Sequence, residues 1–158
     1  MEDANATKTS SEKKLLNKDE NGEPYRELLM YSSIVGISMY LANNSHLDLA
    51  FSVNQCARFS HNPKRSHEKA MKCIVRYLKG TMTKGIIIKP SSTLNLDLYA
   101  DTDFSGLWSV ENSNDPVCVK SRTGWILILG SVPVTWASKL QTEIALSTFE
   151  AEYIVLST

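Results

Sequence analysis

The hydrophobic period of this chain changes once, near Gly85, and that change limits the fold more than any single motif. Over residues 25–84 apolar side chains recur at helical spacing. From Gly85 onward they come in short β-rich runs or alternate with polar residues. A chain of 158 residues patterned this way is expected to form two small pieces rather than one uniform domain. The expected class is mixed α/β, a small helical subdomain followed by a strand-rich part. Residues 1–23 read as a flexible polar tail or linker, ending at Asn21-Gly22 and Pro24. Residues 24–84 read as the helical segment and 85–158 as the strand-rich domain.

In the helical half, ELLMYSSIVGISMYLANN predicts one buried helix, or two, with small residues permitting close packing. LDLAFSVNQCARFSHN predicts another, with Leu49, Val53, Ala57 and Ser60 on one side. Asn62-Pro63 is a stop signal, and a further helix is expected over 65–79. Ser66 and Lys69 offer half a capping box there, and Gly80 is the expected C-terminal stop. At about 100° per residue, Arg65, Lys69, Lys72, Arg76 and Lys79 fall within an arc of about 80°, with Ala70, Ile74, Tyr77 and Leu78 opposite.

Net charge sharpens this picture. The chain is formally neutral, yet residues 58–84 hold eight basic residues against one acid, Glu68. That segment therefore carries +7 and the remainder −7. One reading of the stripe is a solvated helix face. The other is a row of phosphate contacts, weakened by salt and blind to base sequence.

In the strand half, GIIIKP reads as a short β-rich run and LNLDLYAD as an alternating strand. GWILILG, bounded by Gly124 and Gly130, and VPVTWAS read as two more, with Gly130-Ser131 as the hairpin signal. A long polar loop is expected over 106–123. LSTFEAEYIVLST opens like a helix capped by Ser147 or Thr148, with Glu150 in its first turn. If the alternating strand runs far enough, Asp97, Asp101 and Asp103 share a face, which like-charge repulsion disfavours. A strand-end Asp101 converging on a helix Glu150 is a common way to build an oxygen-ligand Mg²⁺ site. The plain readings are a turn residue for Asp101 and a helix N-terminal acid for Glu150. Glu152 is assigned to solvent, Asp97 and Asp103 are weaker candidates, and His46, His61 and His67 receive no role.

Other classes find no support. The longest apolar stretch, residues 34–42, is too short for a bilayer, so no membrane partner is expected. The N-terminus lacks the apolar core of a signal peptide. Cys56, Cys73 and Cys118 are odd in number and read as free, mostly buried thiols of an intracellular, cytoplasmic protein.

Four strings, SHNPKRSHEKAMKCIVRYLKGT, LDLYADTDFSGLW, VKSRTGWILILG and VTWASKLQTEIALSTFEAEY, follow one another in an order and spacing that resemble Copia-type retrotransposon Pol polyproteins. There they cover the end of the reverse transcriptase and the start of the ribonuclease H domain. The resemblance implies a truncated ribonuclease H-like mixed sheet preceded by a connecting helical segment. It implies Asp101 and Glu150 as catalytic metal ligands for two Mg²⁺ (or Mn²⁺) ions, which would activate water and stabilise the leaving oxygen of a phosphodiester. It also implies an RNA–DNA hybrid as partner, held through the phosphates by Arg65, Lys69, Lys72, Arg76 and Lys79, with Ser121-Arg122-Thr123-Gly124 as a further possible phosphate contact. The intact parent would act in a retrotransposon particle, with a longer Pol chain as a second partner.

The chain departs from the family at Ser45–Leu49, SHLDL, where members carry a TRPDI-like string. The family's third and fourth acidic or histidine ligands lie beyond the equivalent of Thr158. The expectation is therefore an incomplete nuclease, binding metal weakly and inactive alone. The alternative is a non-catalytic remnant that at most binds nucleic acid through its basic helix.

Overall fold

The computed structural model describes residues 5–11, 16–89, 93–108, 110, 115 and 117–157. The chain divides into two compact units, Met1–Ile86 and Ile87–Thr158. Among the described residues no helix is long and apolar enough to cross a membrane.

The first unit is helical. Helix α1 spans Leu28–Asn44 without interruption, so the apolar run makes one helix and not two. A 3-10 turn at Leu47–Leu49 leads directly into α2, Ala50–Ala57. Helix α3 spans Arg65–Thr81. Gly80 does not stop it: the helix runs through the glycine and the next residues stay right-handed, with Met82 at φ −54°. The core is Tyr31, Val35, Ala42, Leu49, Val53, Cys56, Met71 and Ile74, flanked by Ala70, Tyr77 and Leu78. The apolar side of α3 thus meets α1 and α2, as its periodicity requires. Burial raises the pKa of both polar members. The Tyr31 hydroxyl donates to the Cys56 carbonyl at 2.9 Å, and the Cys56 thiol is pushed up to about 12, which leaves it an inert packing group.

The segment expected as a flexible tail makes defined contacts with this unit. Pro24 bridges Lys64 in antiparallel fashion, and the Arg65 amide donates to the Glu23 carbonyl at 3.0 Å. His67, which sequence reasoning left without a role, anchors it. Its Nδ1 accepts the Lys64 amide at 2.9 Å, so Nε2 carries the proton and donates to the Asn17 carbonyl at 2.8 Å. The Ser66–Lys69 half box is therefore replaced by a backbone cap at Lys64 from His67.

The second unit is a three-stranded antiparallel sheet in the order β1 (Leu96–Asp103), β2 (Arg122–Leu129), β3 (Val132–Leu140), followed by α4 (Thr148–Leu156). Gly130-Ser131 is the hairpin loop, and Gly130 takes φ 64°, which a glycine accepts without strain. The bulge beside Leu127/Ile128 and Pro133 both fall in the β2–β3 pairing, where β3 is an edge strand that tolerates a proline. The expected strand at GIIIKP does not form over residues 85–89, and Pro90 lies outside the described residues. Ile87 and Ile88 are exposed, and the run's contact with the hairpin is the Ser131 hydroxyl donating to the Lys89 carbonyl at 3.4 Å, because β-propensity alone does not dock a run on a sheet. Among the described residues neither β1 nor β3 pairs with a further strand on its outer edge. Gly124 lies inside β2 rather than at its boundary, opposite Asp101.

Candidate active site and basic helix face

Strand β1 does run as far as Asp103, so Asp97, Asp101 and Asp103 alternate onto one face. Their cross-strand neighbours on β2 are Ile128, Gly124 and Arg122. Beside Asp101 the missing side chain of Gly124 leaves room, since a Cβ there would meet nothing within 4 Å. The Thr102 amide donates to Asp101 Oδ1 at 2.8 Å, which orients the carboxylate and leaves its second oxygen for another partner.

Helix α4 begins as the sequence requires. Ser147 Oγ accepts the Glu150 amide at 3.1 Å, and Glu150 Oε2 accepts the Leu146 amide at 2.7 Å. Glu150, expected as the metal ligand, is thus engaged in capping its own helix. Ala151 and Val155 are the buried residues of α4. Two residues beyond Glu150, Glu152 lies about 200° away around the helix. Glu152, not Glu150, is among the residues that line a cavity of about 140 Å³ with Ala100, Asp101, Thr102, Val155 and Leu156. Below it, Gln141 Nε2 donates to Thr123 Oγ1 at 3.1 Å and to the Ala151 carbonyl at 2.9 Å, tying α4 to β2. Thr102 Oγ1 and Gln141 Oε1 are buried polar atoms without a protein partner.

Two carboxylates on one cavity supply hard oxygen donors of the kind Mg²⁺ takes. They are a partial shell: no group of three or more His, Cys, Asp or Glu that could hold a metal occurs among the described residues. Arg122 is buried, with Nη1 3.5 Å from the Ser138 carbonyl and Oγ, so the Ser121-Arg122-Thr123-Gly124 run belongs to the sheet and does not offer a phosphate contact.

On α3, Arg65, Lys69, Lys72 and Lys79 are exposed and Arg76 is half-buried, so the basic residues do line the solvent side. They are already engaged within the chain. Arg65 Nε pairs with Glu23 at 2.7 Å, Lys72 Nζ with Glu68 at 2.5 Å, and Arg76 Nε donates to the Asn5 carbonyl at 2.6 Å.

Several proteins of known description are similar to this chain. The chain is 40% identical over 123 residues to the retrovirus-related Pol polyprotein from transposon RE1 of Arabidopsis thaliana. It is 39% identical over 124 residues to the retrovirus-related Pol polyprotein from transposon TNT 1-94 of Nicotiana tabacum. It is also 36% identical over 127 residues to the secreted RxLR effector protein 161 of Plasmopara viticola, covering 80% of this chain and 84% of that protein. Over 78% of its length the chain is thus similar to a segment of transposon Pol polyproteins. It covers only 8% and 9% of the length of the two polyproteins. No protein-family model matches the chain, and no solved structure does.

Sequence reasoning assigned Glu152 to solvent, whereas it is among the residues lining the cavity with Asp101; Glu150 keeps its expected place in the first turn of α4.

Proposed function

We propose that this chain is a Copia-type segment that joins the polymerase side of a Pol polyprotein to the start of a ribonuclease H-like domain. In an intact parent, that domain would hydrolyse the RNA strand of an RNA–DNA hybrid. The observation that carries the reading is that Asp101, on β1, and Glu152, on the helix that follows the antiparallel β1-β2-β3 sheet, line one cavity. Asp101 is oriented by the Thr102 amide, and Gly124 keeps the space beside it open. Mg²⁺ or Mn²⁺ bound there would polarise a phosphodiester and lower the pKa of an attacking water. The chain's own part is to hold the two oxygen donors in place, while α3 holds phosphates through its basic row. With two carboxylates alone, cation binding is weak and turnover by this chain far below that of an intact relative, with a longer Pol chain as the partner that supplies further donors. The same shortage favours the second reading, a non-catalytic protein that binds nucleic acid through α3.

A Mn²⁺ titration followed by NMR tests the assignment. Signals around 100–102 and 152–156 are expected to broaden. Asp101→Asn and Glu152→Gln should each suppress the effect, and Glu150→Gln should leave it. Broadening that survives in the Asp101→Asn, Glu152→Gln double variant sinks the site. Cleavage of a labelled hybrid at a rate near that of an intact relative sinks the claim that it is incomplete.

A further inference from the structure

The α3 residues Ser66, Cys73 and Gly80 are seven apart, so they form a line of small side chains directly beside the basic row. The N-terminal segment lies along that line. The Ser66 hydroxyl donates to Asp19 Oδ2 at 2.5 Å. The Thr7 hydroxyl donates to the Cys73 carbonyl at 3.3 Å, and the Cys73 thiol approaches the Thr9 carbonyl at 3.7 Å. At Gly80 the strap comes so close that an added Cβ would sit 2.9 Å from Ala6 Cβ. Gly80, in the last turn of α3, is therefore required by close approach and not by a left-handed helix stop. Two guanidinium groups of the basic row are spent on the same strap, Arg76 on the Asn5 carbonyl and Arg65 on Glu23.

We infer that residues 5–11 and 16–23 are an intramolecular occupant of the α3 phosphate face, and that a polyanion reaches Arg65 and Arg76 only when this strap lifts away. The inference rests on the reading of α3 as a phosphate-binding face. The contacts suit a reversible device. Arg65 and Glu23 are both well exposed, so solvent and salt screen their pair and a phosphate can replace the carboxylate. The Asn5 contact is a single backbone acceptor, which a phosphate oxygen replaces with a charged one.

The test uses the full chain, a labelled RNA–DNA hybrid as probe, and EDTA to prevent cleavage. Gly80→Ala pushes against Ala6 while placing the better helix former in α3, so it loosens the strap without weakening the helix. Glu23→Gln frees Arg65. Each variant is expected to bind the hybrid roughly five- to tenfold tighter near 0.1 M salt, and to steepen the log–log salt dependence by about one phosphate contact. Tryptic cleavage after Lys8 should be several-fold faster in Gly80→Ala, with unchanged helical circular dichroism. Faster cleavage with unchanged affinity and slope overturns the inference, as does unchanged cleavage. If neither the wild type nor the variants bind the hybrid at low salt, the phosphate-face reading itself fails, and the inference with it.

Discussion

The two units fill their interiors differently. Among the described residues, Met1–Ile86 buries a cluster of large apolar side chains, Tyr31, Leu49, Val53, Met71 and Ile74, beside polar residues such as Gln55 and His67. In Ile87–Thr158 the buried apolar residues are Leu107, Cys118, Ala145, Ala151 and Val155, and Ser121, Arg122, Thr123 and Gln141 are buried with them. The leucines of β1 are outside, Leu96 at 64% and Leu98 at 61% exposure. Yet β1 carries as clear an alternating pattern as any half-buried strand. A pattern reports the environment a segment suits, whereas burial reports the environment its own unit provides. In the helical unit the two agree; in the sheet unit they do not.

The chain offers a direct way to break this comparison, because all three tryptophans, Trp108, Trp125 and Trp136, lie in the sheet unit, while most helix lies in the other. Tryptophan fluorescence and far-UV circular dichroism therefore follow the units separately. The largest effect is expected from Ile74→Ala. It should cost about 2–5 kcal/mol and lower the urea midpoint seen by circular dichroism, with little change in the fluorescence transition. A shift of both transitions together would show one cooperative body.

A smaller effect is expected from acid. Burial lowers the pKa of His67. Asp19 and its bond to the Asn17 carbonyl oppose that shift, while Lys64 and Arg58 add to it. The folded state thus favours the neutral ring, and protonation would also destroy the acceptor that caps α3 at Lys64. The His67 contribution is present above the unfolded value of about 6.5 and is lost as pH falls through the folded value below it. The circular-dichroism midpoint should fall with acidification, and His67→Gln should flatten that dependence; an equal slope in the variant would remove His67 as its source. The smallest effect is expected from Leu98→Ala, within about 0.5 kcal/mol by fluorescence. A loss there comparable to Ile74→Ala would mean that β1 is covered in solution.

Legibility followed the range of the interactions. Helix α3 was readable because its apolar and basic residues repeat every turn, and the hairpin because Gly130-Ser131 is a local conformational signal. The strand expected at GIIIKP failed because strand formation needs an edge that the run itself cannot specify. At Gly80 the expected stop was a distant contact with Ala6, invisible to helix-end rules. In the candidate site Asp101 was found from its strand. That Glu152 and not Glu150 lines the cavity beside it depends on how α4 turns against β1, which no local period encodes.

By itself the sequence determined the kinds of element, their order, the change from helix to strand, the basic row and the similarity to Pol polyproteins. Each of these is written in spacings of a few residues or in residue identity. Only the tertiary structure decided which carboxylate shares a cavity with Asp101, which residues leave solvent, and where the described N-terminal residues lie. Those outcomes arise between segments far apart in the chain, such as Asn5 against Arg76 and α4 against β1, whose geometry no local period encodes.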